Sequence, residues 1–502
     1  MKMKKILFKN ILAFAAILSL GACEKKLDLY PYSSIELSQS FKTAKDAGTW
    51  NVGLYSDLRG RVYGSFNIPQ DVQADYLNAS LDFGNRNGNP HRWGTSFLAD
   101  DGALSGTWSS YYFALRNINT TLAGFATIPA TTSTDIAAMK RYKGDAFLAR
   151  AYYYSELIIR FAKPYEPATA STDLGVPLVL KFDITEMPAR STVQQVYTQI
   201  LTDIDSAKSN LSTIAGAQGA NKFNIDVALA LEARVRLNMQ DWAGAMTAAN
   251  TVIATGKYPL VTTLAALKGI WTDDKATEDI FQVAVVKQTE APNTNSIYLG
   301  FNGATNKYVP DFLPTKTFVD SYDAADLRKS VYFATVPCLI SGIDYPALTI
   351  VNKFPGNPLL FTGATTNYQH APKLFRVAEQ YLIYAEAATK AAGANEALAL
   401  VKLNALRTAR GLAALSGVTG TALLTEVRNE RTRELAFEGF RLFDLKRWHQ
   451  GFTRGTAQNL GAINVGANFN TISIVADNSQ FVWGIPTYEV NVNKNLVQNV
   501  GW

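Results

Sequence analysis

Apolar residues return every three or four positions over residues 134–163, where Phe147, Ala151, Tyr154 and Leu157 fall on one face and Pro164 ends the run. This spacing predicts a helix. The same period predicts helices at about 192–211, 227–239 and 242–254. The last two meet at a tight turn, Gln240-Asp241, and Gly256 closes the second. A later pair is predicted at 376–391 and 395–410 with Gly411 as its stop, followed by a helix at 422–437. Two antiparallel helices in about 34 residues, each pair burying a face on the next, are the layout of a tetratricopeptide unit. The predicted fold is therefore mainly α, a tetratricopeptide-like helix-pair scaffold over about 134–256 and 373–450. Residues 48–110 and 287–368 fit no sustained helical period, apart from a helical segment at 108–117; a strand-like run at 280–286 precedes the second stretch. They are expected to be long loops and short strands packed on the scaffold, and loops longer than about 12–15 residues are often functional.

The N-terminus has a different pattern. Residues 1–9 carry four lysines and no acid, residues 11–20 are apolar, and Leu20-Gly21-Ala22 precedes Cys23. That order predicts a lipoprotein signal peptide over 1–22, with Cys23 the lipidated (palmitate-bearing) mature N-terminus. A membrane-spanning helix needs about 20 apolar residues, more than this run supplies. Residues 23–35 read as lipidated cysteine and charged tether, and 36–502 as one folded body. Cys338 is the only other cysteine, so no disulfide is expected within the mature chain. The formal charge of +6 falls to about +2 once the four leader lysines are set aside, which gives nucleic acid no basic surface.

The usual marks of catalysis are absent. His91, His370 and His449 are far apart, and there is no His-Glu-x-x-His, Gly-x-Ser-x-Gly or phosphate-binding glycine loop. No metal site or cofactor is expected; an acidic loop such as Asp273-Asp274 is where a structural calcium would find carboxylates. Glu430, Glu434 and Glu438 share a helical stripe with Arg431 and Arg433 within a turn, so ion pairing across helices is their expected role, with Phe437, Phe443, Leu445 and Trp448 as apolar plug.

Five segments, taken in order, resemble the SusD/RagB family of outer-membrane nutrient-binding lipoproteins. They are Gly144-Asp-Ala-Phe-Leu-Ala-Arg150-Ala-Tyr-Tyr-Tyr, Arg376-Val-Ala-Glu379-Gln-Tyr-Leu-Ile-Tyr-Ala-Glu386-Ala, Leu403-Asn404-Ala-Leu-Arg407, the charged Arg428-Asn-Glu-Arg-Thr-Arg-Glu-Leu-Ala-Phe-Glu-Gly-Phe-Arg-Leu-Phe-Asp-Leu-Lys-Arg-Trp448, and the closing Ile485-Pro486-Thr-Tyr-Glu489. The resemblance implies four tetratricopeptide-like helix pairs. It also implies a lid over a SusC-like TonB-dependent outer-membrane transporter, a position on the cell surface held by the lipid anchor, and capture of oligosaccharide or polysaccharide without catalysis. Capture of peptides or another nutrient by the same architecture, or a purely structural tetratricopeptide adaptor, are the alternatives.

A sugar offers apolar C–H faces and hydroxyl edges, so its site needs flat rings beside Asn, Asp or Arg. Residues 73–93 bring Asp75, Tyr76, Asn78, Phe83, Asn85, Arg86 and Trp93 together in one Gly/Asn-rich stretch, expected to face solvent. The resemblance adds Tyr298, Asn302 and Tyr308 as ligand contacts. Trp242, Trp448 and Trp483 are assigned to the scaffold.

Overall fold

Thr43, Asp101, Thr132, Thr192, Asn224 and Asp241 each turn a side-chain oxygen to the first backbone amides of a long helix, and so set where the scaffold's helices begin. Such caps are worth about 0.5–2 kcal/mol each. A computed structural model of the chain describes residues 40–286, 290, 297–363, 365–391 and 395–502. The leader, Cys23 and the tether lie outside the described residues.

The first half holds α1 (Ala44–Arg59), two short helices α2 (Ile68–Gln73) and α3 (Gly88–Arg92), then α4 (Gly102–Thr127), α5 (Ser133–Phe161), α6 (Val193–Leu211), α7 (Ile225–Asn238) and α8 (Trp242–Ala254). After α9 (Leu264–Thr272), α10 (Lys316–Asp320) and α11 (Leu327–Tyr332) come α12 (Val377–Lys390), α13 (Glu396–Ala409), α14 (Gly420–Glu434) and α15 (Arg441–Arg447). The long helices pack in series: α4 on α5, α5 on α6, α6 on α7, α7 on α8, α8 on α12, and α12 on both α13 and α14. The mainly helical, paired architecture expected from the periodicity is present. Gly411 follows α13 at φ +83°, and a Cβ there would meet the Ala325 carbonyl at 2.7 Å, so the predicted helix stop needs glycine.

Both stretches assigned to loops contain more structure than expected. Residues 44–59 and 102–127 are helical because Ala47, Asn51, Leu54 and Leu58, and then Leu104, Trp108, Tyr111, Leu115 and Ile118, repeat at helical spacing and are buried. Glycines at 48 and 53 concealed the first of these periods. The second stretch builds a sheet. In it β3 (Phe301–Asn302), β4 (Lys307–Tyr308), β6 (Phe333–Ile340) and β7 (Ile343–Val351) are neighbours in that order. Two-stranded ribbons join β1 (Leu77–Ala79) to β5 (Phe312–Pro314), β2 (Asp279–Gln282) to β8 (Lys373–Arg376), and β9 (Phe452–Thr453) to β10 (Ser473–Ile474). Cys338 lies buried in β6, its thiol free and pushed up to about 11 by burial.

The charged segment forms the hub between helices and sheet. Glu434 is fully buried and meets three guanidiniums: Arg328 at 3.0 Å, Arg376 at 2.9 Å and Arg410 at 2.9 Å. Burial alone would raise its pKa, but Arg410, Arg376 and Arg328 hold the carboxyl well below the ordinary range. Glu430 takes Arg328 and Arg433, and Glu438 takes Arg376 and Lys353. Ion pairing accounts for all three glutamates, as the charged stripe suggested, but Glu438 lies beyond the end of α14 and its partners, Arg376 of β8 and Lys353, are not on helices.

Candidate functional site

The ribbon β1–β5 divides the predicted contact residues into a buried set and two accessible ends. Its register sets Leu77 against Pro314 and Ala79 against Phe312. Asp75 and Tyr76 therefore fall at one end and Phe83, Asn85 and Arg86 beyond the other.

Tyr76, Phe83 and Trp93 are buried, which corrects the expectation that their stretch faces solvent, and Tyr298, expected as a ligand contact, is fully buried. Tyr76 stacks on Phe318 at 4.9 Å, and its hydroxyl donates to Asp71, whose carboxyl burial pushes up to about 7. Trp93 is 3% exposed; its indole donates to the Gln73 carbonyl at 2.8 Å, and the ring meets Phe481 edge-on at 5.0 Å. Phe83 packs between Phe312 and Phe469, and Tyr298 against Phe437. The physical reason is long-range closure: residues 437, 469 and 481 arrive from the far end of the chain and cover a segment whose local composition reads as an open loop. Asn78 is buried within the ribbon too, with neither amide atom hydrogen-bonded.

The accessible residues fall in two places. Beyond the far end of the ribbon, Asn85 is exposed and accepts from Arg92 at 2.6 Å, while exposed Arg86 grips buried Asp311. On that side too, Asn302 caps an exposed turn, and Tyr308 is half-buried against Phe301 at 5.0 Å. Asp82 accepts from the Ser341 amide, which ties this segment to the β6–β7 hairpin and so brings the two predicted stretches together.

At the near end of the ribbon a groove of about 500 Å³ opens beside Asp75 and Tyr76. Asp75 holds Arg441 through two hydrogen bonds, at 2.9 and 2.6 Å. Burial works against its charge, and Arg441 keeps its pKa below the ordinary value. The outward stripe of α14, Thr421, Thr425, Arg428 and Thr432, forms one wall; Thr315, Thr317 and Phe318 form the other; Trp448, Gln450 and Thr453 close the end. Spacings of four, three and four residues put that stripe on one helical face. Arg428 lies over the Trp448 ring at 4.8 Å, and the indole donates from below to Glu386 at 2.7 Å. Sequence reasoning missed Arg428 and set Trp448 aside as scaffold; the threonine–arginine stripe opposite Leu423 and Val427 is the signal that would have found the groove. Hydroxyls, guanidiniums, carboxamides and ring edges can recognise a polar ligand there. No histidine, cysteine or lysine lines it to serve as a base or nucleophile.

Among the described residues no cluster of three or more His, Cys, Asp or Glu is placed to hold a metal ion. The acidic loop where a calcium would have found carboxylates is otherwise used. Asp274 accepts from Lys373 and Asn357, both at 2.9 Å, so its charge is already met by an ammonium.

Two family profiles match the chain. The one described as the SusD family covers residues 350–502, and one described as starch-binding associating with outer membrane covers residues 27–237. A SusD-like protein of Formosa agariphila is 24% identical over 522 residues, covering 92% of this chain and 94% of its own. A SusD superfamily structure from Bacteroides thetaiotaomicron superposes with TM-score 0.76 at 24% identity, covering 91% of this chain and 99% of the other. A putative sugar binding protein from Bacteroides vulgatus gives TM-score 0.75 at 24% identity, covering 92% and 99%.

Proposed function

Because the chain belongs to the SusD family, we propose that it captures oligosaccharide or polysaccharide at the cell surface and passes it to a SusC-like TonB-dependent outer-membrane transporter, as a binder and not an enzyme. The groove beside Asp75 and Tyr76 is the observation that carries this reading. It offers a sugar hydroxyl acceptors and donors from Thr315, Thr425, Asn429 and Gln450, and ring edges from Phe318 and Trp448. The outer-membrane association in the description of the profile that matches residues 27–237 agrees with a lipid anchor at Cys23. No helix among the described residues is long and apolar enough to cross a membrane.

Native gels cast with plant, host and microbial polysaccharides test the reading, with short peptides titrated by calorimetry alongside. Retardation by a polysaccharide that is lost on changing the groove supports it. Heat with peptides and no retardation by any polysaccharide replaces it with peptide capture.

A further inference from the structure

The geometry points to an acidic saccharide, one bearing carboxylate or sulfate groups, as the occupant of the groove beside α14; this rests on the glycan-capture reading and narrows it. The groove lining carries three guanidiniums, Arg428, Arg433 and Arg441, against one carboxylate, Asp75. Asp75 is taken by Arg441, and Arg433 by Glu430 at 2.8 Å. Among the described residues Arg428 forms no ion pair. Its Nε is buried without a hydrogen-bond partner, and its guanidinium lies over the Trp448 ring, 4.8 Å from the centroid.

The carboxylates around Arg428 are claimed by other cations. Glu386 is held by Arg447 through two bonds of 2.7 Å and by the Trp448 indole, and Asp444 by Arg431 and Arg447. Burial lowers the Arg428 pKa and nearby Arg447 adds to this, while Glu386 and Asp444 work against it. A half-buried guanidinium with an unpaired Nε, beside a second like charge, is stabilised by an incoming anion, and a carboxylate or sulfate can accept two of its N–H groups at once. Thr425 and Thr432, one turn to either side of Arg428, offer hydroxyls to the sugar ring that carries the anion.

The test uses the whole chain in detergent and gels containing matched probes: polygalacturonate and its fully methyl-esterified form, and κ-carrageenan and its desulfated backbone. The expected result is retardation by one charged polymer that falls about tenfold or more on its neutral twin and weakens between about 50 and 500 mM NaCl. Which charged polymer binds separates uronate from sulfate. Arg428→Gln should abolish the preference for the charged twin, and Arg428→Lys should keep part of it. If Arg428→Gln does not fold, the twin comparison and salt response of the unaltered chain decide the matter. Equal retardation by charged and neutral twins, or retardation by neutral glucans alone, overturns the acidic class and leaves glycan capture standing. Retardation by no polysaccharide, with or without binding of polyglutamate, overturns both.

Discussion

The inward stripe of α14, Leu423, Val427, Glu430 and Glu434, and its outward stripe, Thr421, Thr425, Arg428 and Thr432, handle charge in opposite ways. On the inward face every carboxylate is paired: Glu434 meets Arg328, Arg376 and Arg410, and Glu430 meets Arg328, Arg433 and, at 3.6 Å, Arg407. On the outward face the guanidinium of Arg428 lies over the Trp448 ring and, among the described residues, forms no ion pair. Burying an ion is costly unless its partners are complete, so a saturated cluster marks scaffold, while an unsaturated cation at an open groove marks a place where a ligand can complete the set. One helix thus holds the fold together and presents the candidate site.

The largest effect should come from breaking the saturated side. Glu434→Ala leaves Arg328, Arg376 and Arg410 facing one another without their shared carboxylate. Removal of one partner from a buried pair costs about 3–5 kcal/mol, and here three guanidiniums lose a shared partner at once and keep only Asp326 and Glu430, Glu438, and Glu278, so a large loss of soluble folded protein is the expected outcome. Urea unfolding of any soluble fraction checks it. A variant as stable as the parent would show that the cluster is not the structural hub.

Trp93→Ala should cost about 3–5 kcal/mol through the cavity it leaves and the lost bond to the Gln73 carbonyl. The variant separates the buried ring from the groove: stability falls, and glycan retention per folded molecule stays. A stable variant that had lost retention would restore Trp93 as a contact and move the site out of the groove.

The contrast between Trp93 and α14 also shows what sequence can carry. Helix pairs and the role of the glutamate stripe are local: period, cap residues and charge at three- and four-residue spacing lie within one segment. The placement of Trp93, Tyr76 and Tyr298 is not local. Gly, Asn and aromatic residues write the same string whether a loop is open or is closed by partners such as Phe481 and Phe437, which are distant in sequence. Asp75 could be read from its neighbours as a ligand contact, but its partner Arg441 stands 366 residues away. The groove was half visible, since Asp75 and Tyr76 reach it, while its α14 wall was obscured by the same charged motif that identified the hub.

Acid should loosen the link between the two faces before it dissolves the hub. Glu386 is buried, which opposes its charge, yet Arg447 outweighs this and lowers it from the ordinary 4.5 to about 2. Its folded pKa lies below the unfolded one, so its contribution is complete above about 4.5 and is lost as pH falls from there toward 2. Because the same carboxylate accepts the Trp448 indole, unfolding free energy and indole fluorescence should both change in that window. Glu386→Gln should flatten the pH dependence of stability there. An unchanged slope would mean that other carboxylates govern the acid limb.

The smallest effect is expected at the far end of the ribbon, and it tests the choice of groove most directly. Asn302 is exposed and its side chain caps only its own turn, accepting from the Ala304 amide at 3.0 Å. Asn302→Ala should shift stability by no more than about 0.5 kcal/mol, the range of surface changes that break no buried interaction. With the ligand bound beside α14, retardation by polysaccharide should match the parent. Asn302→Ala with intact stability and lost retardation would place the sugar between Arg86 and Tyr308 instead, and the unpaired Arg428 would then need a different occupant.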